Sequence, residues 1–171
     1  MASARQTLAE LNAAGAPAFV AMLGGLFEHS PWVAEETWPR RPFRDAAHLH
    51  AELCATMRRA PRERRLALIR AHPDLAVRLD HLTAASQREQ SGAGLDRLAE
   101  AEQAEFRALN AAYRARFGFP FVICARLNAK EAILAAMRRR LPQEPLAEED
   151  AALGEIEKIA WLRLADILHT T

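Results

Sequence analysis

Residues 146–168, LAEEDAALGEIEKIAWLRLADIL, have the apolar periodicity of one long helix. Ile156, Ile159, Ala160 and Ile167 fall on a single stripe of an α-helix, because their spacings follow its 3.6-residue turn. An apolar stripe of this kind is typical of a helix that packs one face against the core of its own protein. The end of the chain therefore predicts helical architecture.

The same periodicity returns along the rest of the chain. It predicts helices over about 17–27, 45–57, 61–72, 83–92, 98–118 and 128–142. Asp45, Thr83 and Asn128 stand where a side chain could cap a helix start, and Gly118 stands where a helix could end. The fold class predicted is all-α, as a single compact multi-helix domain over residues 1–171.

One segment, about 119–125, does not fit a helix. It begins FPFVICA, is rich in aromatic and β-branched residues, and has no second strand-like run to pair with. If it is buried, its backbone donors and acceptors need other partners. A ligand with amide groups would provide them, and so would helix ends and water. The pattern leaves both interpretations open.

Composition excludes several classes of protein. The chain has 171 residues, of which 50% are hydrophobic and 26% charged, as in an ordinary globular protein. Its 23 basic and 22 acidic residues argue against a protein built mainly to bind nucleic acid. Cys54 and Cys124 are far apart and are expected to be reduced thiols. With no apolar run of membrane-spanning length and no secretion signal in residues 1–10, we expect a cytoplasmic location and no membrane partner.

The first candidate for chemistry is His72, in the sequence Ala71-His72-Pro73-Asp74. Proline disfavours helical geometry in the residue before it, so the preceding helix should end here and fix the histidine. Imidazole titrates near neutral pH and can therefore give or take a proton. The alternative is a histidine that only caps the last carbonyl groups of its helix.

The second candidate is the run SQREQ, residues 86–90. On a helix, Ser86, Glu89 and Gln90 share one face, so a hydroxyl, a carboxylate and a carboxamide would project together. This set suits a small polar heterocycle, although a solvent-facing polar helix surface has the same pattern. The third candidate is Arg163, which lies on the apolar stripe of residues 146–168 and so needs an anionic partner. That partner is either a substrate carboxylate or an internal acidic residue, unless Arg163 lies at the edge of the stripe and extends to solvent.

Metal chemistry has little support in the sequence. His48 and His50 are two residues apart on a predicted helix and would point in different directions. No HExxH motif occurs, and the two cysteines lack zinc-binding spacing. We expect no metal site.

These candidates stand within motifs that resemble one known family, the 2-oxo-4-hydroxy-4-carboxy-5-ureidoimidazoline (OHCU) decarboxylases of uric acid degradation. The resemblance extends from about Leu11 to Leu168. The motifs are Ser30-Pro31-Trp32-Val33, His72-Pro73-Asp74-Leu75, Ser86-x-x-Glu89-Gln90 with Gly94-Leu95, Leu109-Asn110-x-x-Tyr113, Phe117-Gly118-Phe119-Pro120-Phe121-Val122-Ile123-Cys124-Ala125-Arg126, and Glu155-Ile156-x-Lys158-Ile159-Ala160-x-Leu162-Arg163-Leu164. Each motif is weak alone, but their order and spacing together are specific.

The resemblance implies an all-helical homodimer that forms (S)-allantoin without a cofactor. It implies catalytic roles for His72 as acid/base, for Glu89 in orienting the substrate or tuning the imidazole, and for Arg163 in holding an anionic or carbonyl group. The substrate-binding residues that follow from it are Pro73, Ser86, Gln87, Arg88, Glu89, Gln90, Phe121, Val122, Ile123, Cys124 and Ala125. A helical interaction module and a sister enzyme acting on another ureide or hydantoin are the alternative functions.

Overall fold

The computed structural model describes residues 5–169, and those residues form nine α-helices without a β-strand. The helices are α1 (Leu8–Ala13), α2 (Ala16–Leu23), α3 (Trp32–Thr37), α4 (Ala46–Arg59), α5 (Arg62–Arg70), α6 (Ala84–Gly92), α7 (Glu100–Phe117), α8 (Lys130–Arg140) and α9 (Pro145–Ile167). The predicted all-α class is confirmed. The predicted cytoplasmic location rests partly on residues 1–10, and of these, residues 1–4 lie outside the described residues.

Contacts divide the described residues into two compact units. The first unit comprises residues 5–71 and 157–169, and the second comprises residues 72–156. Helix α9 contributes residues to both units, since the division falls between Ile156 and Glu157. Organisation as a single domain stays a prediction.

The first unit is built on α2, α3 and α4, with α3 packed against both of the others. Asp45 caps α4 as predicted, because its carboxylate accepts the His48 amide hydrogen at 2.7 Å. The predicted helix over 17–27 is shorter than expected and ends at Leu23. Gly24 follows it at a crowded position, where a Cβ would lie 2.6 Å from the Val20 carbonyl oxygen.

The second unit contains α6, α7, α8 and the first half of α9, and α7 packs on α8. Two predicted helix ends are confirmed: Thr83 caps α6, and Gly118 ends α7 in the left-handed conformation at φ 73°. The predicted cap at Asn128 is wrong, because α8 begins at Lys130 and the Asn128 side chain donates to the Cys124 carbonyl at 2.9 Å.

The segment predicted to be extended is confirmed as the irregular connection between α7 and α8. Residues 120–124 are in neither helix nor strand, and a short 3-10 turn follows at Ala125–Leu127. Phe121 through Ala125 are all buried. Within residues 5–169, no helix is long and apolar enough to cross a membrane.

Candidate active site

His72 is buried, with 6% of its surface exposed, on a loop held by side chains of α6 and α7. The Gln90 carboxamide donates to the Asp74 carbonyl at 3.2 Å and accepts from the Ala76 amide at 3.0 Å. Asn110 donates to the Leu75 carbonyl at 2.8 Å. The side chains of Gln90 and Asn110 therefore hold the backbone of residues 74–76 in place. This limits the positions that the His72 imidazole can adopt.

The same loop is held at its outer side by an ion pair. Arg114 Nε donates to both carboxylate oxygens of Asp74, at 2.8 and 3.0 Å. Ala76 adopts a left-handed conformation with φ 58°, which costs free energy for any residue other than glycine. A strained residue persists only where its surroundings hold it, so the contacts from α6 and α7 are needed to keep this loop in place.

The residues predicted on α6 divide into two groups. Ser86 and Gln90 are buried and Glu89 is half-buried, so the polar face predicted from their spacing lies toward the protein. Gln87 is half-buried, and its carboxamide donates to the Leu82 carbonyl at 3.3 Å. Arg88 is exposed. The structure thus groups Ser86, Glu89 and Gln90 and leaves Arg88 on the surface.

The inner face of α6 lies close to the irregular segment. Helix α6 packs on the turn at Ala125–Leu127. Burial raises the pKa of the Cys124 thiol, and the negative charges of Glu155 and Glu89 raise it further. Glu89 on α6 and Glu155 on α9 are therefore both near Cys124, so the structure brings the second candidate group next to the irregular segment.

Much of the backbone of this segment is bound by side chains. The Val122 carbonyl accepts from Arg140 Nη1 at 2.8 Å, and the Cys124 amide donates to Glu155 at 2.9 Å. The Cys124 carbonyl accepts from Asn128. Between these residues, the backbone N–H and C=O of Ile123, a residue that is 8% exposed, form no hydrogen bond with any of residues 5–169. A donor and an acceptor side by side are suited to an amide-containing ring.

Arg163 lies in the first unit and has an acidic partner there. Its Nη1 donates to Glu28 Oε2 at 2.9 Å, with 6% of the Arg163 side chain and 2% of the Glu28 side chain exposed. The Gly25 carbonyl is a longer contact at 3.4 Å. The internal ion pair was one of the alternatives that the pattern left open for Arg163, and the structure contains it. Substrate binding by Arg163 stays a prediction.

Comparison with known proteins identifies the family. The family model described as OHCU decarboxylase matches residues 12–165. The chain belongs to the OHCU decarboxylase family. It is 42% identical over 160 residues to the 2-oxo-4-hydroxy-4-carboxy-5-ureidoimidazoline decarboxylase of Haloferax volcanii, covering 94% of this chain and 95% of that protein. It is also 42% identical over 153 residues to the Mus musculus protein of the same name, covering 88% of this chain and 86% of that one.

A solved structure agrees with this assignment. The crystal structure of (S)-allantoin synthase matches with a TM-score of 0.77 at 31% identity, covering 96% of this chain. The chain spans 55% of the length of that solved chain. The resemblance found in the sequence motifs is therefore confirmed as membership of the OHCU decarboxylase family.

The decarboxylase motifs contain residues whose part in the site the sequence did not indicate. Asn110 and Glu155 belong to quoted motifs, yet only the structure shows that they bind backbone groups of the loop and of the segment. Glu28 and Arg140 lie outside those motifs. A buried arginine requires an acidic partner, which is the one signal that could have prompted a search for Glu28. Within residues 5–169, no three His, Cys, Asp or Glu side chains are grouped to hold a metal ion.

Proposed function

We propose that the chain decarboxylates 2-oxo-4-hydroxy-4-carboxy-5-ureidoimidazoline to (S)-allantoin, and that His72, Glu89 and the Ile123 backbone contact the substrate ring. The observation that carries the proposal is the family match over residues 12–165. The relatives that carry this decarboxylase name cover nearly the whole chain, which supports the same reaction here.

The substrate explains why the reaction needs no cofactor. The carboxylate is attached beside a ring C=N bond, so the electron pair released with CO₂ moves into the ring. The ring nitrogen of that bond and the ring carbon that carries the ureido group each gain a proton, and the neighbouring hydroxyl loses a proton to become the carbonyl of allantoin, so one proton is taken up for each CO₂ released. CO₂ is the only group lost. The protein has to orient the carboxylate, stabilise the developing charge and protonate one face of the ring.

His72 is proposed as the group that moves the proton. It is buried on a fixed loop, so it would approach the ring from one side and make the product a single enantiomer. Glu89 lies on the neighbouring inner face of α6, where it would orient the substrate or stabilise the protonated imidazole. The backbone of Ile123 would bind the amide edge of the ring.

Arg163 is proposed to hold a carboxylate or carbonyl oxygen of the substrate. A guanidinium has several N–H donors in a planar fork and can bind more than one oxygen, so its ion pair with Glu28 is compatible with a second anionic contact. The Glu28 carboxylate would then fix the fork for that contact.

A homodimer, a cytoplasmic location and independence of metal and cofactor complete the proposal. Light scattering after size exclusion should give twice the mass of the 19.0 kDa chain. Dialysis against a chelator should leave the turnover rate unchanged, whereas loss of activity restored by zinc or manganese would contradict metal independence.

The proposed reaction can be tested through the chirality of its product. Fresh substrate is generated from urate with the two preceding enzymes, and allantoin is followed by circular dichroism with and without this protein. The protein should accelerate formation of optically active (S)-allantoin above the spontaneous racemic background. Racemic product formed at the spontaneous rate would show that the chain acts on another ureide or is not an enzyme.

A further inference from the structure

Three polar side chains form a group beside the irregular segment, here called the Arg140 cluster: the buried Tyr113 on α7, the half-buried Arg140 at the end of α8 and the buried Glu148 in the first turn of α9. Glu148 Oε1 accepts from Arg140 Nε at 2.7 Å and also from the Tyr113 hydroxyl. Tyr113 and Glu148 are each 1% exposed. The cluster thus joins three helices through one carboxylate.

Arg140 also holds the segment itself. Its Nη1 donates to the Val122 carbonyl at 2.8 Å, and its guanidinium lies 4.4 Å from the centre of the Phe121 ring. The Tyr113 ring meets Phe121 edge to face, with the ring centres 5.4 Å apart. Both residues that precede Ile123 are therefore fixed by the cluster, while Glu155 holds the Cys124 amide after it.

We infer that Arg140 is a positioning residue for the reaction: oriented by Glu148, it sets the backbone N–H and C=O of Ile123 at the place where the substrate ring binds. This inference rests on the proposed function, because it takes Ile123 as a contact of the substrate. Arg140 itself does not contact the substrate. It acts through the carbonyl of Val122, the residue before Ile123.

The energetics of buried ion pairs favour this role over simple stabilisation. Removing two charges from water costs free energy, and a well-packed apolar pair often replaces a buried ion pair without loss of stability. A planar guanidinium offers what an apolar side chain cannot, since it binds Glu148, Val122 and the Phe121 ring at fixed angles. A lysine has one point charge and would not maintain all three contacts.

Arg138 provides a matched control on the same helix. It is exposed and donates to Glu105 at 2.8 Å, so it resembles Arg140 in residue type and in having an acidic partner, but it does not contact the segment. The Arg138→Gln variant should keep the parent kinetic constants.

The experiment compares the parent with Arg140→Lys and with the double variant Arg140→Met, Glu148→Gln, in which no charge is left buried alone. Steady-state kinetics on fresh substrate give kcat and KM, and hydrogen exchange by mass spectrometry follows peptides covering residues 119–125. Both variants should lose about ten- to a hundred-fold in kcat/KM, mainly through KM, because a small displacement of a binding group is costly. The pH dependence of kcat, which would follow His72, should not change.

The outcomes separate positioning from stability. A cluster that only stabilises the protein would change the melting temperature and leave kcat and KM of the folded enzyme at parent values, and that result would overturn the inference. If the double variant does not fold, Arg140→Lys decides by the same criterion. If the parent itself does not turn the substrate over, the proposed function is wrong. Hydrogen exchange still tests the segment in that case. Exchange at residues 119–125 that is faster in Arg140→Lys than in the parent, but unchanged in Arg138→Gln, shows that Arg140 fixes the segment.

Discussion

The two units use buried polar side chains differently. In the first unit, Arg163 and Glu28 are buried and bind each other. In the second unit, Arg140 also pairs with a buried carboxylate, that of Glu148. The difference is that Arg140, Gln90 and Asn110 also bind backbone groups of the two irregular segments proposed to contact the substrate. Side chains that bind each other contribute chiefly to the local packing of their unit, whereas side chains that bind irregular backbone determine where that backbone lies. Substitutions in the second unit are therefore expected to change activity more than stability, and substitutions at Arg163 to change both.

The largest effect is expected at His72. The His72→Gln variant should fold and lose about 10² to 10⁴-fold in the rate of (S)-allantoin formation, which is the usual contribution of a general acid or base. The matched control is His81→Gln, since His81 is an exposed histidine of the same unit, 3.8 Å from Asp80. A His72→Gln rate near that of the parent would mean that the histidine only caps α5.

The second-largest effect is expected for Arg163→Ala, which should lower the free energy of unfolding. It leaves the Glu28 carboxylate buried without its partner, which typically costs about 3–5 kcal/mol of unfolding free energy. The double variant Arg163→Met, Glu28→Gln removes both charges and should recover most of that loss in chemical denaturation.

Activity of this double variant sharpens the comparison between the two units. If Arg163 binds substrate, turnover stays impaired although stability returns, and Arg163→Lys is impaired as well. Parent-like turnover in the restabilised double variant would make Arg163 a structural residue.

A smaller effect is expected at Gln90, which holds the His72 loop. Gln90→Leu leaves the Asp74 carbonyl and the Ala76 amide without their side-chain partner, at a cost of about 1 kcal/mol, since both residues are half-buried. Because the loop carries His72, kcat should fall as well. Ser91→Ala is the control, since it removes one exposed hydrogen bond to Asp96 from the same helix and should leave kcat unchanged.

The smallest effect concerns Cys54 in the first unit. Burial, followed by the charge of Glu157, raises the pKa of Cys54 from 9.0 to about 12. Because the folded protein favours the protonated thiol, its stabilising contribution is complete below pH 9 and is lost as the pH rises toward 12. Unfolding free energies of the parent and Cys54→Ala should therefore converge above pH 9. A difference independent of pH over this range would contradict the raised pKa.

The ends of helices could be predicted from the sequence where they depend on hydrogen bonds or backbone conformations of neighbouring residues. The caps at Asp45 and Thr83 and the end at Gly118 depend on neighbouring residues only, and they are found where expected. The cap expected at Asn128 is wrong although its competitor is also local, since the Cys124 carbonyl four residues earlier binds the Asn128 side chain. Helix α2 ends at Leu23, earlier than its apolar pattern suggests, because Gly24 and Gly25 follow and glycine is a poor helix former.

The site was predictable in its residue types but not in its pairings. The spacing of Ser86, Glu89 and Gln90 indicated a shared polar face, and the burial of Ser86 and Gln90 agrees with it. The spacing could not show that the Gln90 carboxamide binds the His72 loop. Nor could it identify Glu28, since 135 residues separate it from Arg163 in the chain.

A crystal structure with (S)-allantoin tests the central claim most directly, namely that the second unit binds the ring through the Ile123 backbone and the inner face of α6. The account predicts hydrogen bonds from allantoin to the Ile123 N–H or C=O, with the His72 imidazole and the Glu89 carboxylate in contact with the ligand. Allantoin bound away from residues 72–90 and 121–125, in a crystal of enzyme that is active on fresh substrate, would contradict it.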